Sequence, residues 1–346
     1  MIRVVNSVNM EGVGGRIKWQ ELAGNSLDTK PTDGLATGSV FVEADTGTRY
    51  IYDEETAQWN VQSSGGGGGG GGGDLDDFIV NHGTMTSFEG NMSAIGECTF
   101  YYCSTLTTVS FPNCLAIGNS AFQNCYSLAT ISFPKCTTIG SSAFKYCSCI
   151  TTANFPNCTA IGSSAFALCS RLTTVSFPSC ITIANNAFGN CPSLTAANFP
   201  NCTTIGSSPF QYCSSLTTAS FPICTTIGSN AFYGCSKLTT VSFPNCTTVE
   251  GCAFAYCSIL SVVSFPNCTT LGESAFQKCT HLLSLYLLGS SVATLGNTNV
   301  FSSTPISNYT TSTGGVRGSI YVLSSLYNTY ITANNWSAYA ARFVSM

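Results

Sequence analysis

The pair Phe-Pro returns every 22 residues, at Phe111, Phe133, Phe155, Phe177, Phe199, Phe221, Phe243 and Phe265, inside a unit close to FPNCTTIGSSAFQYCSSLTTVS. A fixed period of this length marks a solenoid, in which each repeat is one turn that buries its apolar side only against its neighbours. Whatever else the chain contains must cap this stack or attach it to something.

The phase of the repeat narrows the architecture. From Leu106 the apolar positions are Leu106, Val109, Phe111, Cys114 and Ile117, followed by Ala121, Phe122, Cys125 and Leu128. This is L-x-x-L-x-L-x-x-C-x-x-I, the leucine-rich-repeat pattern with cysteine where asparagine often stands. Leu106 to Phe111 is predicted as a short strand ended by Pro112, which has no N–H to give a ladder. The Ile117-Gly118 step turns the chain, and Ser120 to Cys125 returns it on the convex side around Phe122. With its Ile-Gly, Ala-Phe, Cys-Ser-x-Leu and Pro signature recurring in every turn with small departures, this stretch resembles the BspA-like (Treponema-type) leucine-rich repeats. The expected fold class is mainly β: a leucine-rich-repeat solenoid of 22-residue turns with a small N-terminal β-meander module. Nine regular strands, beginning at Leu106, Leu128, Ile150, Leu172, Leu194, Leu216, Leu238, Leu260 and Leu282, give a rod of about 45 Å at the inter-strand spacing.

Charge is scarce and unevenly placed. Only 8% of the residues are charged, with a net charge of -4, which excludes a nucleic-acid reader with a basic face. Fourteen of the 28 acidic and basic residues lie in the first 55 positions, whereas Phe111 to Tyr286 carries seven, so two kinds of surface are joined in one chain. No apolar run is long enough for a secretory signal or a membrane span. The expectation is therefore no membrane insertion and an exit from the cytoplasm by another route, such as on a virion.

Five segments follow in order. Residues 1–23 read as an irregular anchoring arm. Residues 24–64 alternate at Val40-Phe41-Val42 and Arg49-Tyr50-Ile51-Tyr52 around Asp45-Thr46-Gly47 and Asp53-Glu54-Glu55 turns, a small β-module closed by Trp59. So small a core is marginal alone, so self-association or docking is expected to stabilise it. The run TKPTDGLATGSVFVEADTGTRYIYDEETAQW resembles a module of tailed-phage head and tail fibres. That resemblance implies that residues 1–64 hold the protein to other virion proteins, as a homotrimer, with the distal part projecting from the virion surface. Residues 65–73 are nine glycines, a flexible linker. Residues 74–286 form the solenoid with an N-terminal cap in which Ile95, Phe100 and Cys103 are already in phase. Residues 287–346 are degenerate repeats and a C-terminal cap, with Ile320-Tyr321-Val322 as a last strand, two short helical turns at Ser324 to Tyr330 and Asn335 to Phe343, and Trp336 and Phe343 closing the core. The run NNWSAYAARF resembles BspA-like C-terminal caps.

Twenty cysteines raise the question of disulfides. Eight recur from Cys114 to Cys268 and nine from Cys103 to Cys279, one per turn, with Cys98, Cys149 and Cys252 outside both ladders. Stacked positions lie within disulfide range. Buried cysteine also packs as a small hydrophobe, and a ladder of identical positions offers no unique partner, which favours reduced thiols. No metal site is read, because no paired CxxC or Cys/His spacing occurs. The Asp74, Asp76 and Asp77 cluster reads as a solvated hinge, with calcium as the alternative. Asn-Cys-Thr sequons such as Asn157-Cys158-Thr159 follow from the repeat itself.

No enzyme and no cofactor are expected. His82 and His281 stand far apart, and the repeats after Phe111 hold two acidic residues, Glu250 and Glu273, too few for acid–base or nucleophilic catalysis. Outward strand positions repeat Thr107, Thr151, Thr173, Thr195, Thr217 and Thr239, then Thr108, Thr130, Thr152, Thr174, Thr218 and Thr240, then Ser110, Ser132, Asn154, Ser176, Asn198, Ser220, Ser242 and Ser264. β-Branched threonine suits a solvated strand face, and a flat hydroxyl array could alternatively meet a glycan or ice. Variation concentrates around the second cysteine, at Tyr101, Tyr102, Lys145, Tyr146, Arg171, Tyr212, Tyr233, Lys237, Tyr256, Lys278 and His281. Tyrosines and cations along one edge compose a recognition surface, or shield the core by snorkelling. The expected function is a phage virion structural protein that displays a rod for adhesion to a host surface protein or glycan. The alternatives are a purely structural capsid decoration or spacer, and a bacterial cell-surface BspA-like adhesin.

Overall fold

A computed structural model describes residues 85–307 and 316–346 with their side chains, and the backbone of five strands nearer the N-terminus. The glycine run 65–73, the Asp74, Asp76 and Asp77 cluster, His82 and the Gly314-Gly315 turn lie outside the described residues. Two compact units are present, Met1–Gly71 and Gly72–Met346.

The first unit is a five-stranded sheet. Arg3–Gly12 and Gly15–Gly24 pair antiparallel, and Gly15–Gly24 pairs parallel with Val40–Glu43. Val40–Glu43, Arg49–Asp53 and Gln58–Val61 form the antiparallel meander. The irregular arm expected over residues 1–23 is thus corrected to a hairpin. Counting apolar residues missed it, because backbone pairing needs only a compatible register; here Val8 stands opposite Trp19 and Met10 opposite Ile17.

In the second unit every turn carries two short strands. The first recurs at Ser87–Glu89, Thr108–Ser110, Thr130–Ser132 and onward to Ser284–Leu287. Partners sit in strict parallel register, such as Thr130 opposite Thr108 and Ser132 opposite Ser110. The central residue of each, as at Val109 and Val263, points inward. The second strand, two residues long, begins at Ala94–Ile95 and Ala116–Ile117 and runs to Thr294–Leu295 as a continuous ten-stranded parallel sheet. The Ile-Gly step was read only as a turn. The structure places the isoleucine in this second sheet and the glycine just after it, where turns approach closely: a Cβ on Gly228 would lie 2.2 Å from the Gly206 carbonyl oxygen.

Two interleaved phenylalanine stacks fill the core. Rings of the Phe-Pro column stack on one another, as Phe111 on Phe133 at 5.4 Å, and so do those of the Ala-Phe column, as Phe122 on Phe144 at 5.1 Å. The columns meet edge-on, as Phe122 against Phe133 at 5.8 Å and 65°. Such offset and edge-to-face contacts add to the area each ring buries. Beside them all twenty cysteines are free thiols, and those of both ladders are buried. From Cys114 to Cys279 each ladder thiol has its own carbonyl: Cys147 Sγ–H donates to Phe122 O at 3.0 Å, and Cys136 Sγ–H to Thr138 O at 3.2 Å. Burial pushes the Cys169, Cys213 and Cys279 thiols up to about 12.

The C-terminal end closes the stack. Ser324–Leu326 and Tyr327–Thr332 form a helical turn, Trp336–Arg342 a second, and Phe343–Ser345 a strand that pairs with Ser319–Val322. Trp336 Nε1–H donates to Ala293 O at 2.6 Å, and the Tyr330 hydroxyl accepts from Ala293 N–H at 3.0 Å, satisfying backbone groups that no further turn covers.

Candidate interaction surface

The third side of each turn, between the Ile-Gly step and the second cysteine, has neither helix nor strand, yet it is hydrogen-bonded turn to turn. Cys98, Phe100 and Tyr102 donate their N–H groups to Asn119 O, Ala121 O and Gln123 O of the next turn, at 2.9, 2.7 and 2.9 Å. All three donors point the same way along the stack. Left-handed backbone accompanies this alignment at two positions per turn, four residues apart. One column runs through Cys98, Ser120, Ser142 and Ser164, the other through Tyr102, Asn124, Tyr146, Leu168, Asn190, Tyr212, Gly234, Tyr256 and Lys278.

That second column is where the sequence varies. A left-handed L-residue costs roughly 1–2 kcal/mol, and asparagine and glycine tolerate it best. Asn124, Asn190 and Gly234 are therefore the low-strain occupants, whereas four tyrosines, Leu168 and Lys278 hold the same conformation against this preference. Strain of this kind gathers where side chains are selected for what they meet.

Two aromatic clusters result. In the first, Tyr101 lies edge-on to Tyr102 at 4.7 Å, Tyr102 lies 6.2 Å from Tyr126, and Lys145 Nζ sits 5.5 Å from the Tyr146 ring centroid. In the second, Tyr212 lies edge-on to Tyr233 at 5.4 Å, Tyr233 is 5.0 Å from Tyr256, and Lys278 Nζ is 4.7 Å from the Tyr256 centroid. Gly234 makes room for this packing, since a Cβ there would lie 2.7 Å from the Tyr212 ring. Tyr212 is 48% exposed and Tyr256 37%. Burial raises the Tyr101 and Tyr102 phenols, helped by neighbouring groups, Cys98 for the former and Tyr126 for the latter. Burial and the hydrogen bond with Tyr256 bring Tyr233 up to about 12, while the Lys278 ammonium lowers Tyr256.

Arg171, Lys237 and His281 stand apart from both clusters. Arg171 and Lys237 are exposed and make no cation–ring contact among the described residues. His281 is half-buried, and its Nδ1–H donates to Ser258 O at 2.7 Å, which fixes the ring to the preceding turn. Tyr126, 40% exposed and placed just after its cysteine, belongs to the first cluster although sequence reasoning passed over it.

The strand face is different in kind. Thr107, Thr173, Thr195, Thr217 and Thr239 donate their hydroxyls to carbonyls of the preceding turn at 2.7 to 3.1 Å. Thr137, Thr159, Thr203, Thr247 and Thr269, beside the second sheet, do the same. These threonines hold the stack together.

A family description, the BspA type leucine rich repeat region, matches in six copies over residues 83–195 and 203–317. No curated protein matches the chain. Among solved structures, a leucine rich cell surface protein of Faecalibacterium prausnitzii is 20% identical, covering 92% of this chain and 96% of its own, with a TM-score of 0.44. A leucine-rich-repeat protein of T. pallidum is 22% identical over 51% of this chain and 78% of its own, with a TM-score of 0.38. One from Eubacterium ventriosum is 15% identical over 80% and 76%, with a TM-score of 0.39. With the matched segments spanning well over half of the sequence, the chain belongs to the BspA-type leucine-rich-repeat family.

Proposed function

We propose that this protein is an adhesion rod that presents its tyrosine–cation ridge to a protein or glycan on a host-cell surface, with no catalytic role. The observation that carries this reading is the placement of Tyr102, Tyr146, Tyr212 and Tyr256 at left-handed positions where asparagine or glycine would be less strained. Tyrosine beside cations is the composition of contact hot spots. The resemblance of residues 29–59 to phage fibre modules supports display on a tailed-phage virion, with residues 1–64 joining other virion proteins as a homotrimer. Membership of the BspA-type family supports a second reading, a bacterial cell-surface adhesin.

Labelled full-length protein, incubated with gut and oral bacterial cells and with mucin glycans, tests the adhesion. Saturable binding lost in the Tyr212→Ala/Tyr233→Ala/Tyr256→Ala variant is the expected result. Absence of binding to every surface would leave a structural decoration or spacer. Immuno-electron microscopy with antibody to the repeats separates virion from bacterial-envelope display.

A further inference from the structure

The outward column Ser110, Ser132, Asn154, Ser176, Asn198, Ser220, Ser242, Ser264 does not end in another small polar residue. The register places Tyr286 beside Ser264, Tyr321 beside Tyr286 and Val344 beside Tyr321. The Tyr286 and Tyr321 rings stack at 4.5 Å and 11°, and both residues are half-buried. On the Ser264 side the Tyr286 ring has no ring neighbour among the described residues, because serine offers only a hydroxymethyl group there. Unlike the Thr107 column, the Ser242 and Ser264 hydroxyls make no hydrogen bond within the described residues.

Charge at this end of the strand face is one-sided. After Glu273 the sequence holds no Asp or Glu, while Arg317 and Arg342 flank the last two strands of this face. Arg317 is exposed two residues before Ser319–Val322, and Arg342 directly precedes Phe343–Ser345, the strand paired with it. Burial and the neighbouring Arg317 both lower the Arg342 guanidinium, so the two cations lie within each other's field. From Ser264 to Val344 is three strand steps, about 14 Å.

We infer that this end of the strand face is a binding site for an acidic oligosaccharide. A neutral pyranose stacks its C–H face on Tyr286 above Ser264 and Ser242, and the carboxylate of the next sugar reaches toward Arg317 and Arg342. An aromatic face beside unbonded hydroxyls suits a sugar ring, with its apolar face and polar rim. The guanidinium pair suits a carboxylate by charge and fork geometry. The site is separate from the tyrosine–cation ridge and stands or falls independently of it.

Saturation-transfer NMR and calorimetry on the full chain with 3′-sialyllactose, a hyaluronan tetrasaccharide and lactose test the assignment. At least one acidic probe is expected to bind, with lactose weaker. Tyr286→Ser, which merely continues the serine column, and Arg317→Ser should each weaken the acidic probe about ten-fold. Tyr286→Phe should retain it and, like Arg317→Ser, melt as the parent does, while Tyr286→Ser, which gives up the ring stack on Tyr321, should remain folded at the temperature of the binding measurement. Binding of neither acidic probe, binding of lactose as tight as the acidic sugars, or parental affinity in Tyr286→Ser would overturn the proposal.

Discussion

The strand side and the ridge are parts of the same 22-residue turn, yet they use their residues in opposite ways. On the strand side the threonine column through Thr173, Thr195, Thr217 and Thr239 is turned into the stack, each hydroxyl donating to a carbonyl of the preceding turn, so those members repeat because they serve the same bond. On the ridge the ladder is made chiefly by the backbone, through left-handed residues whose N–H groups point toward the next turn. Most side chains of its second left-handed column are therefore free of that duty and vary from turn to turn. In the threonine column uniformity reports internal bonding, whereas on the ridge the variable side chains are the exposed ones.

Alkaline pH probes this contrast most strongly. Unfolded thiols ionise near 9 while Cys169, Cys213 and Cys279 in the fold hold their protons to about 12, so the unfolded chain releases protons first. Stability is fully present below pH 9 and falls as the pH rises toward 12, by about 1.4 kcal/mol per pH unit for each such thiol. Chemical denaturation between pH 7 and 11 under reducing conditions should show a steep loss. A flat profile would mean that the ladders do not rely on their thiol protons.

Removing the second cluster with the triple tyrosine variant comes next, with an expected loss of about 2–4 kcal/mol in binding to the recognised surface and little change in melting temperature. Equal losses in both would make the ridge part of the scaffold. On the strand side, Thr195→Val deletes the hydroxyl bonded to Thr173 O. It should cost about 1 kcal/mol of stability and leave surface binding untouched, as read by denaturant titration beside a cell-binding assay. The smallest effect is a gain: Leu168→Asn relieves a left-handed branched residue and should stabilise by about 0.5 kcal/mol. A destabilised variant would show that Leu168 is held there for its packing.

Much of this was legible beforehand because the period is backbone arithmetic. The Phe, Cys, Leu and Ile columns of the core and the strand beginning in each turn follow from phase, while the closing role of Trp336 and Phe343 follows from large aromatics placed where the repeat stops. The hairpin over Arg3–Gly12 and Gly15–Gly24 was missed, since pairing there does not depend on a large apolar stripe. Nothing in the sequence marks Tyr102 or Tyr212 as left-handed, because tyrosine is not a residue one expects there. Tyr126 was missed because only one turn carries an aromatic at that step.

What the sequence by itself determined is the repeat: 22 residues per turn, which residues face inward, and the scarcity of charge that leaves few places for chemistry. Only the tertiary structure decided which hydroxyls are already bonded and which remain available. It also decided that Tyr286 and Tyr321 meet, although the segment between them departs from the period. The physical reason is that a period fixes neighbours only while it is kept. Beyond its last regular turn, contacts depend on hydrogen-bond register and on the path of the intervening chain, which spacing alone does not encode.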